Sequence, residues 1–253
     1  IGHDVDNGDS LHYGLIQPGS DTMHGKVYVV LASDGHTLTT TTDASTAATA
    51  KNYVGEFSLT EDADPTKGAS YKFTLYNDSP AVQGMHDGDS RDVSIGLVAR
   101  DSFGAYVQES VSVTVKGAND TPVITTAPTL AAMSVVELGV KNVHGDPNEA
   151  FAGTPKDADS GHSFTVTDVD NNDTQAVSIA VKELPGAAFK DNHDGTYTVT
   201  TPEGTFTLTA GAAVANDSGS STTYTYSYEL NNSASKTQAL HEGETRNYTF
   251  TVT

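Results

Sequence analysis

Polar and apolar residues alternate along short stretches of this chain, and turn-forming residues interrupt the alternation at regular intervals. The runs HGKVYVVLA (24–32), YKFTLYN (71–77), DVSIGLVAR (92–100), ESVSVTVKG (109–117) and HSFTVTD (162–168) follow this pattern. So do AVSIAVKE (176–183), TYTVTT (196–201), TFTLTA (205–210), YTYSYELN (224–231) and NYTFTVT (247–253). A period of two is that of a strand, whose successive side chains face opposite sides. Between the runs lie SDGH, HDGD, RDSFG, HDGT and PEGT, which bring the Gly and Asp that tight turns favour. Short strands punctuated in this way predict an all-β fold of antiparallel sandwiches. In YTYSYEL the alternation sets Tyr224, Tyr226 and Tyr228 on one face, which is expected to pack inward. Only TAGAAVAN (209–216) leaves room for a helix, and a loop or short turn fits it nearly as well.

The pattern is duplicated. YKFTLYNDSPAVQGMHDGDSR (71–91) aligns without a gap on YSYELNNSASKTQALHEGETR (226–246), an offset of 155 that matches Tyr71 to Tyr226, Leu75 to Leu230, Gln83 to Gln238 and Arg91 to Arg246. SDGHTLTT (33–40) matches HDGTYTVTT (193–201) at an offset of 160, and DVDNGD (4–9) matches DVDNND (168–173) at 164. The falling offsets give the first copy nine more residues, spread over its loops. Duplication at this spacing marks an array of similar modules. Their boundary is expected at KGANDTPVI (116–124), giving a first module over 1–118 and a second over 119–253. The first begins at its DVD cluster, truncated at its N-terminus and with longer loops. The second stops before any counterpart of ESVSVTV and so lacks a final strand. With no initiating Met and no leader pattern, the chain reads as an excised or mature segment.

Charge narrows the range of partners. Asp and Glu total 33 against 13 Lys and Arg, a net charge of −20, which repels nucleic acid and anionic membrane surfaces and attracts divalent cations. No apolar run approaches the ~18–20 residues that cross a bilayer. There is no Cys, hence no disulfide, thiolate metal site or Cys nucleophile.

The acidic hexapeptides concentrate this charge. Asp4, Asp6 and Asp9 recur as Asp168, Asp170 and Asp173, and carboxylates so close together repel one another unless a cation neutralises them. Ca²⁺ takes six to eight oxygens from carboxylates, amides and backbone carbonyls. Positions i and i+2 of an extended segment point the same way, so Asp4 with Asp6, or Asp168 with Asp170, can converge on one ion. Asx-rich turns that bind nothing use the same residues; the duplication and the net charge favour calcium.

The order DVDxxD, then DGxT or DGxY, then NDSPAVQ, then SVTVKGANDTPVI resembles the VCBS-type repeat of large bacterial adhesins exported by type I secretion. The resemblance implies immunoglobulin-like or cadherin-like sandwich modules, calcium, and an extracellular, cell-surface location. By further resemblance to cadherin junctions, Asn119 and Asp120 of GANDTP, Glu137, and Asp157 and Asp159 of KDADSG become candidate ligands beside Asp168 and Asp170. Which of the two DxD clusters accompanies Asn119 and Asp120 stays open. The nonapeptides of calcium β-rolls are absent.

Catalysis has little to work with. HEGE (241–244) lacks the second His of a zinc-protease helix, and its counterpart HDGD (86–89) stands at the same repeat position. The Asp groups sit within single loops rather than across a sugar cleft, and no nucleophile elbow or phosphate-binding loop occurs. The expected role is therefore a non-enzymatic, calcium-stiffened extender, monomeric and in contact with neighbouring repeats. The alternatives are a module that binds carbohydrate or peptide through TTTTDASTAATAKNYVGEF (39–57), which otherwise reads as a solvated loop or an edge hairpin, and an accessory domain of a secreted polysaccharide-degrading enzyme.

Overall fold

The computed structural model describes residues 10–45, 51–64, 67–125, 131–137, 156–170, 175–216, 219–241 and 243–253. Within them the chain is all-β, with antiparallel pairing throughout. It divides into two compact units. One is Ile1–Thr121 with Val169–Asn172 and Asp217–Gly219; the other is Pro122–Asp168, Asp173–Asn216 and Ser220–Thr253.

In the first unit, β1 (His12–Ile16), β6 (Ser90–Arg100) and β7 (Tyr106–Lys116) form one sheet in the order β1-β6-β7. β2 (Lys26–Leu31), β3 (Leu38–Thr41), β4 (Tyr53–Glu61) and β5 (Ala69–Leu75) form another in the order β3-β2-β4-β5. The inward faces of both contribute to a single core containing Leu15, Val27, Val29, Val54, Phe57 and Ile95, together with Val82 and Met85 from the segment around helix α1 (Pro80–Gln83). That one-turn helix starts where the sequence provides both a cap and a stiff first residue. The Ser79 side chain accepts the N–H of Val82 at 3.3 Å, and Pro80 sits at the first turn, where its missing N–H costs nothing.

In the second unit, β8 (Val123–Ile124), β9 (Ala158–Asp168), β11 (Phe189–Asp191), β12 (Thr196–Thr200), β13 (Gly204–Ala210) and β15 (Gly219–Leu230) share a sheet in the order β11-β12-β13-β15-β9-β8. β14 (Val214–Asn216) also pairs with β15. A second sheet pairs β10 (Ile179–Val181) with β16 (Phe250–Val252). The core centres on Phe164, Val199, Phe206, Leu208 and the inward tyrosines. Tyr224, Tyr226 and Tyr228 are 4, 5 and 7 % exposed, so the face assigned from alternation is the buried one. Each hydroxyl finds a partner at the core's rim: Gln175 Oε1 at 3.0 Å, Ala131 O at 3.1 Å and Thr201 Oγ1 at 2.6 Å, as buried Tyr requires.

Duplication extends to individual hydrogen bonds. Gln83 Nε2 donates to Asn77 O at 3.0 Å, and Gln238 Nε2 donates to Asn232 O at 2.7 Å. Asp89 N–H donates to His86 O, and Glu244 N–H to His241 O. Gly88 and Gly243 both take positive φ, 92° and 78°. The second copy puts Ala234 and Ser235 where the first has Ser79 and Pro80. Without the cap and the proline, its segment makes turns rather than a helix.

Three expectations need correction. TAGAAVAN is not helical: it ends β13, runs through a loop and forms β14. The end of the stretch 39–57 is neither a solvated loop nor an edge hairpin, because β4, a strand paired on both sides, begins at Tyr53 and buries Val54 and Phe57 completely; residues 46–50 lie outside the described residues. The tightly patterned Gly55-Glu56-Phe57-Ser58-Leu59 is the first copy of Gly204-Thr205-Phe206-Thr207-Leu208, at an offset of 149. Finally, the nine extra residues are not simply spread over the loops. The offset drops from 160 to 149 between the DG turn and this motif, then returns to 155 at the tyrosine strand. The first copy is therefore lengthened before β4 and shortened after it.

The lengthening changes strand order. In the second unit a tight turn joins β12 to β13, with Thr201 N–H donating to Gly204 O at 2.8 Å, so the two must be neighbours. In the first unit residues 42–52 separate β3 from β4. There β2 takes the place beside β4 and β3 lies on the outside.

Candidate functional site

β9 carries one acidic pair near each end. It runs eleven residues, and at ~3.3 Å per residue Asp159 and Asp168 lie on the order of 30 Å apart. The two DxD clusters therefore cannot share an ion. The cadherin-type set splits accordingly.

At the N-terminal end, Glu137 adjoins Val136, which bridges to Lys156, and is half-buried. Asp157 is exposed and uses its carbonyl to accept Leu230 N–H at 2.7 Å. Asp159 is engaged by protein donors on both oxygens. Oδ2 takes the Lys156 ammonium at 2.7 Å and Ser134 N–H at 2.8 Å, and Oδ1 lies 3.0 Å from His162 Nε2. These bonds, the one from Lys156 foremost, hold its carboxyl well below the usual carboxylate range. The His162 ring in turn stacks on Tyr226 with centroids 5.2 Å apart. This end of β9 is a closed ion-pair network.

A carboxyl whose folded pKa is depressed contributes stability that is full above its unfolded value of 3.8 and lost as pH falls through the folded one. Asp159→Asn should therefore lower the melting temperature of the second unit at pH 6. The gap from the wild type should close as both are titrated from pH 4 downward. A pH-independent gap would mean that the network contributes by packing rather than by charge.

At the C-terminal end, Asp168 is 2 % exposed and Asp170, two residues beyond it, 0 %. Asp170 Oδ2 accepts the backbone N–H of Asp120 at 2.7 Å. Asp120 is half-buried, and its carbonyl accepts Asn119 Nδ2 at 2.7 Å. Of the two clusters, then, Asp168–Asp170 is the one that accompanies GANDTP. Burying a carboxylate costs several kcal/mol unless hydrogen bonds, a counter-charge or a metal compensates. Ionised groups at this depth are uncommon outside such settings.

Asp4, Asp6, Asp9 and Asp173 lie outside the described residues. Among the described residues, no group of three or more His, Asp or Glu side chains gathers so as to hold a metal ion. What they offer an oxygen-seeking cation is the buried carboxylates of one DxD, Asp168 and Asp170. That chemistry suits Ca²⁺, which accepts neutral oxygens, better than a metal requiring nitrogen or sulfur donors.

The DG turns carry acidic residues of another kind. Asp34 Oδ2 accepts the Thr37 hydroxyl at 2.5 Å, and its other oxygen accepts the N–H groups of His36 and Thr37. Its pKa falls to about 2 for that reason. Asp194 repeats the device with Thr196. These carboxylates serve the turn, and the sequence marks them by their DG spelling. An acidic group with no mark in the sequence is Glu203, 7 % exposed. Its side chain accepts the Tyr248 hydroxyl, and its carbonyl accepts Asn231 N–H at 2.8 Å. PEGT reads as a turn, and the tyrosine that reaches it comes from 45 residues away.

Among the described residues, no helix is long and apolar enough to cross a membrane. Comparison of the chain with protein-family models, curated proteins and solved structures found no match.

Proposed function

We propose that this chain is a calcium-stabilised, non-enzymatic extender region of a large secreted bacterial adhesin, built from two immunoglobulin- or cadherin-like β-sandwich modules in tandem. The observation that carries the reading is the depth of Asp168 and Asp170 in a motif that the chain spells twice. A turn that only needs Asx chemistry leaves its carboxylates in water, as Asp34 and Asp194 do. Here the same residue type is taken out of water, in a chain of net charge −20, and a divalent cation is the counter-charge that the composition favours beside the hydrogen bonds these carboxylates make. Asp170 and oxygens of the Asn119–Asp120 segment would hold the ion, with Asp168, two residues before Asp170, as a further candidate ligand. Asp159 is left out of the ligand set because Lys156, Ser134 and His162 engage it. The ion supplies positive charge and fixed oxygen geometry, and the residues supply the cage. Folding would then be linked to external calcium, as suits a protein secreted unfolded into calcium-rich surroundings.

Thermal unfolding after EGTA treatment, with and without millimolar Ca²⁺, tests this. At a hundredfold excess over Kd the ion contributes ~2.7 kcal/mol, a rise on the order of 10 °C for a module of this size. Asp170→Asn should remove most of the rise, and small-angle scattering should show the wild type stiffer with calcium than without. An unchanged melting curve would reject the calcium reading and return the hexapeptides to simple turns.

A further inference from the structure

We infer that Glu203, Thr237 and Tyr248 form a module-specific latch, which lets the closing segment of the second unit (231–252) pack on its own core and bars the corresponding segment of the first (76–97). Each segment carries the chain from one sheet of its unit to the other, from β5 to β6 and from β15 to β16. In a duplicated chain two such segments compete for two similar cores, and exchange between copies is a characteristic way for repeat proteins to misassemble.

The latch is polar throughout. Glu203 is 7 % exposed and Thr237 0 %. The Glu203 carboxylate accepts the Tyr248 hydroxyl, and the Glu203 carbonyl accepts the Thr237 hydroxyl at 3.2 Å and Asn231 N–H at 2.8 Å. Burial and the neighbouring carboxylate push the Tyr248 phenol up, so it keeps the proton that it donates.

The first unit builds the same place from valines. At the offset of 149 Glu203 corresponds to Val54, and at 155 Thr237 and Tyr248 correspond to Val82 and Val93. The three valines are 0, 8 and 5 % exposed and share one core cluster. The backbone there is the same in both copies, for Val54 O accepts Tyr76 N–H at 2.9 Å where Glu203 O accepts Asn231 N–H. The fold itself therefore asks for no carboxylate at this position; what each set requires is its own partner. With 76–97 on the second core, Val82 and Val93 would face Glu203 and leave a buried carboxylate without its donor. With 231–252 on the first, the Tyr248 hydroxyl would meet Val54 in place of its acceptor. Polar groups stranded against the wrong partner are a general source of specificity.

Two variants of the complete chain make the copies read alike. Glu203→Val/Thr237→Val/Tyr248→Val gives the second unit the set of the first, and Val54→Glu/Val82→Thr/Val93→Tyr does the reverse. Both are expected to fold. Refolded from urea at rising protein concentration, they should form dimers that dissociate only on unfolding, where the wild type returns as monomer; light scattering after gel filtration reads the difference. Mismatch is measured within one unit: Val54→Glu should lower the folding equilibrium constant of the first unit about ten- to a hundredfold, and adding Val93→Tyr should recover most of that loss. Three results would overturn the inference: a uniform variant that folds and refolds as cleanly as the wild type; failure of both uniform variants to fold, meaning that the sets are not interchangeable; or a Val54→Glu loss that Val93→Tyr does not recover. Should only one uniform variant fold, that one decides the dimer test.

Discussion

Gly204→Ala should lower the melting temperature of the second unit by on the order of 10 °C and leave the first unit's transition in place. A Cβ at Gly204 would stand 2.3 Å from Glu229 O and 2.8 Å from both Cζ and the hydroxyl of Tyr228. The carbonyl belongs to the β15 backbone and cannot swing aside. The tyrosine hydroxyl is fixed by its 2.6 Å bond to Thr201, so relief on that side breaks a buried hydrogen bond. Overpacking of this kind costs about 1–3 kcal/mol, and each kcal/mol moves the midpoint of a domain this size by about 4–8 °C. Gly55 meets the same obstacles in the first unit, Thr74 O at 2.5 Å and the Phe73 ring at 2.8 Å, so Gly55→Ala should shift the other transition. Gly25→Ala is the control, since nothing lies within 4 Å of its Cβ position and its φ is not positive. Calorimetry of the three variants separates the cases. If Gly204→Ala behaved like Gly25→Ala, the close approach of β13 to β15 would be refuted.

Phe57→Ala should cost the first unit about 3–5 kcal/mol, the range for emptying a fully buried aromatic site. Phe57 is 0 % exposed, and its ring packs 4.8 Å from that of Phe73. In the same core cluster are Val27 and Val29 of β2, Val54 of β4 and Met85 from the segment after α1. The three valines are held by paired strands and cannot close the hole. Urea unfolding should show the midpoint falling with the slope unchanged, because the surface exposed on unfolding barely differs. A solvated loop at this position would give a change within ±0.5 kcal/mol. The experiment thus distinguishes a core strand from the loop that the Thr- and Ala-rich composition suggests.

The structure also sorts carboxylates that look alike in sequence. Asp34, Asp194, Asp159 and Asp170 all sit in Asx-rich stretches, yet among them they serve three separate uses. The first two brace DG turns through Thr hydroxyls. Asp159 closes a network with Lys156 and His162. Asp170 is buried and receives Asp120 N–H. What separates them is the donors that arrive from elsewhere in the chain: Ser134 comes to Asp159 from 25 residues away, and Asp120 to Asp170 from 50. No local spacing encodes those distances.

Much of the fold can be read from the sequence because it rests on local rules. Period-two alternation located ten strands, the inward face of Tyr224, Tyr226 and Tyr228, and the DG turns whose Gly35 and Gly195 take positive φ. Side-chain direction along a strand depends only on the residue's own backbone. Internal repetition likewise foretold paired features such as the Gln83 and Gln238 bonds, since the same short sequence closes the same short ring. β4 was hidden because its Gly and Glu interrupt the apolar run, and only packing reveals that Gly55 is there to let a neighbouring strand approach. The exchange of β2 for β3 beside β4 was hidden too, for strand order depends on how far a connection can reach once the sheets have closed. The sequence alone therefore determined that the chain is duplicated, acidic and all-β. Which strand lies beside which, and which of two DxD pairs is taken out of water beside Asn119 and Asp120, was decided by the tertiary structure, because both depend on contacts between residues far apart in the chain.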